Sequence, residues 1–168
     1  MAKNSANKTN AARLLDRARI PYSLQPYEFD PDDLAAEHVA EALGQDINRV
    51  FKTLVLQGEG TGYFVCVVPG NREVDLKKAA RAAGAKKAAM IHMKDLLPIT
   101  GYIRGGCSPI GMKKAFPTFF HTTATDFDVI YVSAGVRGLQ LEISPAALID
   151  FTRATVADIA TDPETPEI

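Results

Sequence analysis

Fourteen residues, Gly101 to Lys114, hold four glycines, a proline and two adjacent lysines. Glycine permits positive φ and lets a ligand approach main-chain N–H groups closely. Within this stretch, Gly105-Gly106-Cys107-Ser108-Pro109 could offer successive N–H groups to an ester carbonyl or to its tetrahedral oxyanion, and preorganised donors of that kind lower a barrier. The same composition also suits a surface turn. A second candidate is Lys52, a cation inside the apolar run Phe51–Val55. Its stem either covers apolar surface while the ammonium reaches solvent, or the ammonium sits at a pocket mouth as a point charge for a phosphate. Ser133-Ala134-Gly135 ends an expected strand, a usual place for groups facing a ligand, and Arg137 follows as a partner for a phosphate or a carboxylate.

Other chemistries lack their residues. There is no Gly-x-Ser-x-Gly elbow, and His38, His92 and His121 are too scattered for a Ser/His/Asp set or a zinc site. Cys107 lies in a glycine loop near lysines that could lower its pKa, but no histidine is close in sequence. Cys66, in an apolar run, reads as a small buried hydrophobe. No G-x-G-x-x-G or P-loop lysine motif is present, so no nucleotide cofactor and no metal are expected.

The elements that must position these groups follow from periodicity. A helix is expected over 9–19, with Ala11, Leu14, Leu15 and Ala18 on one face, and another over 35–43 closed by Gly44. Residues 22–27 read as extended. Phe51–Gln57 and Tyr63–Val68 read as a hairpin joined by a glycine-rich turn, followed by a helix with Leu76, Ala79, Ala80 and Ala83, closed by Gly84. A strand near 87–91 and a short helix before Pro98 come next. Strands at Thr118–Thr122, Val129–Ser133 and Leu139–Ile143 precede a helix opened by Pro145 and running to about Phe151. Residues 161–168 read as a frayed acidic tail. The order indicates an α+β chain, a compact mixed β-barrel or sheet with flanking helices in one domain.

The 168 residues are 46% hydrophobic and 23% charged, an ordinary globular composition. No apolar run is long enough to span a bilayer, and the first eight residues lack the apolar core of a secretory signal, so no membrane partner and a cytoplasmic location are expected. With 19 Lys and Arg against 20 Asp and Glu, the net charge of −1 argues against gripping DNA or long RNA through many phosphates. It leaves room for a protein that holds the end of an RNA. Lys77, Lys78, Arg81, Lys86 and Lys87 form a basic segment that is either a solvated face or a phosphate-contacting one.

In order and spacing the chain resembles the YbaK/EbsC family of aminoacyl-tRNA deacylases over about residues 9–159. The resemblance runs through Ile20-Pro21-Tyr22, Tyr27, Phe51-Lys52-Thr53-Leu54, Val67-Val68-Pro69-Gly70, Leu76-Lys77-Lys78-Ala79-Ala80, Thr100-Gly101-Tyr102, Gly105 to Gly111, Lys113-Lys114 and Ser133 to Leu139. The free-standing Cys-tRNA(Pro) deacylase branch is the one it looks most like. The resemblance implies a mixed β-barrel with surrounding helices, hydrolysis of mischarged Cys-tRNA(Pro), and tRNA(Pro) carrying cysteine as partner, with prolyl-tRNA synthetase as a second one. It implies that Lys52 anchors a phosphate near the terminal adenosine, that Tyr27 and Thr53 line the pocket, and that the main chain of Gly105, Gly106, Cys107, Ser108 and Pro109 holds the aminoacyl end. Ser133 and Gly135 then face the substrate. In this branch the substrate's own thiol attacks the ester and leaves as a thiolactone, which accounts for the lack of a nucleophile or base in the chain.

Asp30 to Glu37 fits the family only loosely, and this segment is expected to shape one pocket wall. Two rival readings remain open: a sister deacylase acting on alanine or another small residue, and a non-catalytic module that binds a nucleotide or an aminoacyl end.

Overall fold

The computed structural model describes residues 8–163. Among these residues, five α-helices and eight strands follow in the order α1 (Asn10–Arg17), β1 (Tyr22–Pro26), α2 (Ala36–Leu43), β2 (Phe51–Gly58), β3 (Gly62–Pro69), α3 (Leu76–Ala83), β4 (Ala88–Met90), α4 (Met93–Thr100), β5 (Thr118–His121), β6 (Ile130–Ser133), β7 (Leu139–Ile143), α5 (Pro145–Thr152) and β8 (Thr155–Ala157). Local chemistry sets the helix ends. Thr9 Oγ1 accepts from the Ala12 N–H, Asp75 accepts from the N–H groups of Lys77 and Lys78, and Ser144 accepts from that of Ala147, each satisfying a donor that a helix start leaves free. Gly44, Gly84 and Gly101 adopt left-handed φ at the C-termini of α2, α3 and α4.

The strands form two sheets rather than one closed barrel. An antiparallel sheet has the order β1-β7-β6, and a mixed sheet has the order β4-β2-β3-β5-β8. In the second, β4-β2-β3 are antiparallel, whereas β3-β5 and β5-β8 are parallel. A parallel bridge between Val50 and Tyr131 joins the start of β2 to β6. The main core fills the space between the sheets: Phe51, Val55, Val67 and Phe120 meet Ile130, Val132, Leu141 and Ile143, with Leu15 of α1 and Leu148 of α5 sealing it. The other face of the mixed sheet carries Leu56, Phe64, Cys66 and Val68 against Ala79 of α3 and Ile159. Burial on both faces explains why β3 reads as a continuous apolar run instead of an alternating one.

Three expectations are revised. Helix α4 runs through Pro98 to Thr100; Gly101 N–H donates to the Leu97 carbonyl and Thr100 Oγ1 to that of Leu96, so the last turn closes around the proline. Strand β8 is added after α5, in parallel with β5. Thr161 is held: its N–H donates to the Glu73 carbonyl and its own carbonyl accepts from Arg72 Nε. The remainder of the expected tail from residue 164 lies outside the described residues.

Candidate functional site

A cleft of about 520 Å³ opens where the start of α2, strand β2, the α4 segment and the glycine loop converge, and Ser133 and Gln140 reach it from the antiparallel sheet. Two glycines permit this convergence. A Cβ on Gly70 would lie 2.3 Å from Ala36 Cβ, so only glycine lets α2 pack down on the β2–β3 end. Gly105, at φ +84°, lies under Leu34 and Arg137, with 3.2 Å between a Cβ there and Leu34 Cδ2.

Lys52, Thr53, Gly105, Cys107 and Ser133 all line this cleft, so residues 80 positions apart are brought together. Lys52 projects from β2 with 26% of its side chain exposed, and its Nζ lies 3.7 Å from Oε1 of Glu73, which is 82% exposed. That contact is long and solvated, so it leaves the ammonium available to an incoming anion. Ser133 Oγ accepts from the Gly135 N–H at 3.1 Å, which leaves the serine proton to be donated. Burial pushes the Cys107 thiol up to about 12, so it is a neutral wall of the cleft at neutral pH and not an activated nucleophile.

The remaining candidates take different places. Gly106 does not offer its N–H to a ligand: it donates to the Ile103 carbonyl at 3.0 Å. Its missing Cβ instead allows main-chain packing against Val136, whose Cα would stand 3.2 Å from such an atom. Within Gly105–Pro109 the N–H groups of Gly105, Cys107 and Ser108 have no acceptor among the described residues, and of these three residues Gly105 and Cys107 line the cleft, so they are the loop donors placed beside it. Ser108 is fully buried and its Oγ accepts from the Ile110 N–H. Pro109 is buried too, so both stiffen the loop without lining the cleft. Gly135, at φ +109°, shapes the turn after β6. Tyr27 packs behind the α2 wall with Val39, Ala40, Val50 and Tyr131. Among the described residues, Arg137 pairs with no carboxylate and does not line the cleft; its Nε donates to the Arg104 carbonyl at 2.8 Å and straps one loop to the other.

Sequence reasoning missed Arg104, Glu73 and Gln140 as lining residues. Arg104 beside a Gly-Gly pair was the available signal for the first; the other two are recognisable only from the fold. The Asp30–Glu37 segment does supply one wall, through Leu34, Ala35, Ala36 and Glu37. The basic segment on α3 contributes no lining residue, and its Lys78 is engaged with Asp158 at 3.1 Å. Among the described residues, no three His, Cys, Asp or Glu side chains are grouped so as to hold a metal ion, and no helix is long and apolar enough to cross a membrane.

Known proteins share this arrangement to different extents. The chain is 50% identical over 159 residues to the candidate Cys-tRNA(Pro)/Cys-tRNA(Cys) deacylase EbsC of Enterococcus faecalis, covering 95% of this chain and 97% of that protein. It is 32% identical over 85 residues to the proline–tRNA ligase of Fervidobacterium nodosum, covering 51% of this chain but only 15% of the ligase. A solved structure presented as a candidate trans-editing enzyme for prolyl-tRNA synthetase superposes with a TM-score of 0.76 at 22% identity, covering 90% of this chain and 93% of that one; this last likeness is one of fold. The family model of the aminoacyl-tRNA editing domain matches residues 30–151, and with half its residues shared with EbsC the chain belongs to this family, the YbaK/EbsC group of editing domains.

Proposed function

We propose that this protein is an aminoacyl-tRNA deacylase that removes cysteine from tRNA(Pro) in the cytoplasm, with the charged acceptor end lying in the cleft beside Lys52. The observation that carries this reading is the pairing, in one cleft, of an available ammonium with a glycine loop whose Gly105 and Cys107 N–H groups are uncommitted. Lys52 would hold a phosphate next to the terminal adenosine. The loop N–H groups would receive the carbonyl oxygen as it gains charge. No lining residue is a histidine, and Cys107 is neutral, so the attacking group is assigned to the substrate. The cysteine sulfur bonds to its own carbonyl carbon, the ester C–O bond breaks, and the thiol proton ends on the tRNA ribose hydroxyl. The products are free tRNA and a thiolactone that water opens to cysteine. Discrimination by product suits this case, because a synthetase pocket cannot reject a side chain of similar size by binding alone. The likeness to part of a proline–tRNA ligase supports a working relationship with prolyl-tRNA synthetase.

The test is hydrolysis of Cys-tRNA(Pro) beside Ala-tRNA(Pro). Release of cysteine alone fits substrate-thiol attack. Equal release of alanine would replace it with a size-selecting deacylase, and release of neither would leave a binding module.

A further inference from the structure

Two cations beside the cleft have no task in the reading above. Arg104 lines the cleft and is exposed, and Arg137 is partly buried next to it. Among the described residues, ion pairs involve Lys8, His38, Lys52, Lys78 and His121, so neither arginine has a carboxylate partner. Of the carboxylates lining the cleft, Glu73 lies beside Lys52 and Glu37 pairs with neither arginine. Arg137 Nε donates to the Arg104 carbonyl at 2.8 Å, which fixes the guanidinium and leaves both Nη groups without an acceptor among the described residues. The glycine pair permits this contact. A Cβ on Gly105 would stand 3.4 Å from both Cγ and Nε of Arg137, and one on Gly106 would stand 3.3 Å from its main-chain nitrogen. The two loops thus meet closely and carry both arginines at one rim of the cleft.

Each arginine follows an exposed aliphatic residue: Ile103 is 46% exposed and Val136 47%. The rim therefore repeats an apolar-cationic pair on two adjacent loops. That chemistry selects its ligand. A duplex shows phosphates and keeps its bases stacked inside, whereas an unpaired nucleotide offers a phosphate and an apolar base face together. A guanidinium fork can take two phosphate oxygens at once. Resting on the deacylase reading above, we infer that Ile103-Arg104 and Val136-Arg137 hold the unpaired nucleotides just upstream of the terminal adenosine, with the arginines on a phosphodiester and the aliphatic side chains against the bases. The acceptor strand then leaves the cleft over the glycine loop, and contacts remote from the ester help to hold it against the Gly105 and Cys107 N–H groups.

The experiment uses the whole protein and two cysteine esters. One is Cys-tRNA(Pro); the other is cysteine esterified to the ribose of AMP, which keeps the terminal adenosine and its phosphate and lacks every upstream nucleotide. Wild type is expected to prefer the tRNA ester in kcat/KM. Arg104→Gln alters a side chain with no hydrogen bond among the described residues, so its melting temperature should hold. It is expected to lose about 3- to 10-fold on the tRNA ester, a charge-assisted contact weakened by exposure, and far less on the AMP ester. Adding Arg137→Gln should deepen the loss on the tRNA ester alone. The dependence of log kcat/KM on log salt should become shallower by about 0.7, the value for one phosphate contact on a single strand. Arg104→Lys, which keeps the charge, should retain most of that slope, and Ile103→Ser should weaken the tRNA ester without changing it. Equal losses on both esters would make the arginines braces of the glycine loop and overturn the inference. So would an active wild type without preference, or one whose preference and salt slope survive the double variant; these outcomes leave the deacylase reading standing. A wild type inert on both esters removes the two together.

Discussion

Tyr102 donates its phenolic hydroxyl to the main-chain carbonyl of Ile110, closing the glycine loop on itself. Its ring lies against the turn after β6, where a Cβ on Gly135 would stand 3.1 Å from Tyr102 Cε1. One aromatic side chain thus couples the loop that presents the N–H donors to the turn that carries Ser133. Burial pushes its hydroxyl up to about 12, so it remains a donor throughout the working range. Tyr102→Phe would leave the buried Ile110 carbonyl unpaired and should cost about 1–3 kcal/mol. Thermal unfolding checks this, and a fall in kcat larger than any rise in KM would show that the loop, not substrate affinity alone, depends on the bond.

Gly135→Ala should be more damaging than its volume suggests. Its φ of +109° is one that side chains rarely adopt, and the added methyl meets the Tyr102 ring. The expected result is a lower melting temperature together with lost deacylation. A variant with wild-type activity would show that the turn can move without disturbing Ser133.

At the cleft mouth, Lys52 and Glu73 are predicted to separate cleanly. Their 3.7 Å contact is long and Glu73 is almost fully exposed, so Glu73→Gln should change stability by no more than about 0.5 kcal/mol. Lys52→Ala removes the only lysine among the described residues that line the cleft and should reduce kcat/KM by about 10- to 100-fold with little change in melting. Comparable activity losses in both variants would mean that the pair, and not the free ammonium, serves the substrate.

Local signals were legible wherever neighbours in sequence decide the structure. Gly44 and Gly84 closed the helices where their positions imply, and the Gly58–Gly62 turn joined β2 to β3 in register. The α+β arrangement was also readable, and Lys52, Thr53 and Ser133 line the cleft. Strand β8 was not, because it is three residues long with Thr155 and Val156 exposed and gains its order from pairing with β5. Gly105 and Gly106 look alike in sequence; they differ only because the chain turns so that the Gly106 N–H meets the Ile103 carbonyl. Gln140 sits in an alternating Leu-Gln-Leu strand that reads as solvent-facing, yet it is buried in β7, the central strand of its sheet, between Gln25 of β1 and Ser133 of β6. Arg137 carries a charge that suggests an anion, yet the nearest acceptor the fold supplies is a main-chain carbonyl.

Cys107 lines the cleft, but burial holds its thiol at about 12, far from the range of a working thiolate. Cys107→Ala should therefore keep deacylation within about tenfold of wild type, whereas removing a true nucleophile costs orders of magnitude more. Alkylation near pH 8 should be slow at this residue. Rapid labelling with loss of activity, protected by substrate, would reopen covalent catalysis.

His121 offers a pH signature that belongs to folding and not to the cleft. It is buried at the end of β5, and its Nδ1 accepts the Ile159 N–H at 3.2 Å. Desolvation lowers its pKa from 6.5, Arg72 and Lys78 push in the same direction, and Asp158 and Asp126 oppose them. The native state therefore holds a neutral imidazole, while the unfolded chain takes up a proton more readily. Its contribution to stability is complete above about pH 6.5 and is lost as pH falls through the window between the unfolded and the lowered native pKa. Between pH 7 and pH 5 the melting temperature should decline, and the decline should be shallower in His121→Asn, which does not titrate and can still accept from Ile159. An identical slope in the variant would assign the acid sensitivity to other groups, the carboxylates first among them.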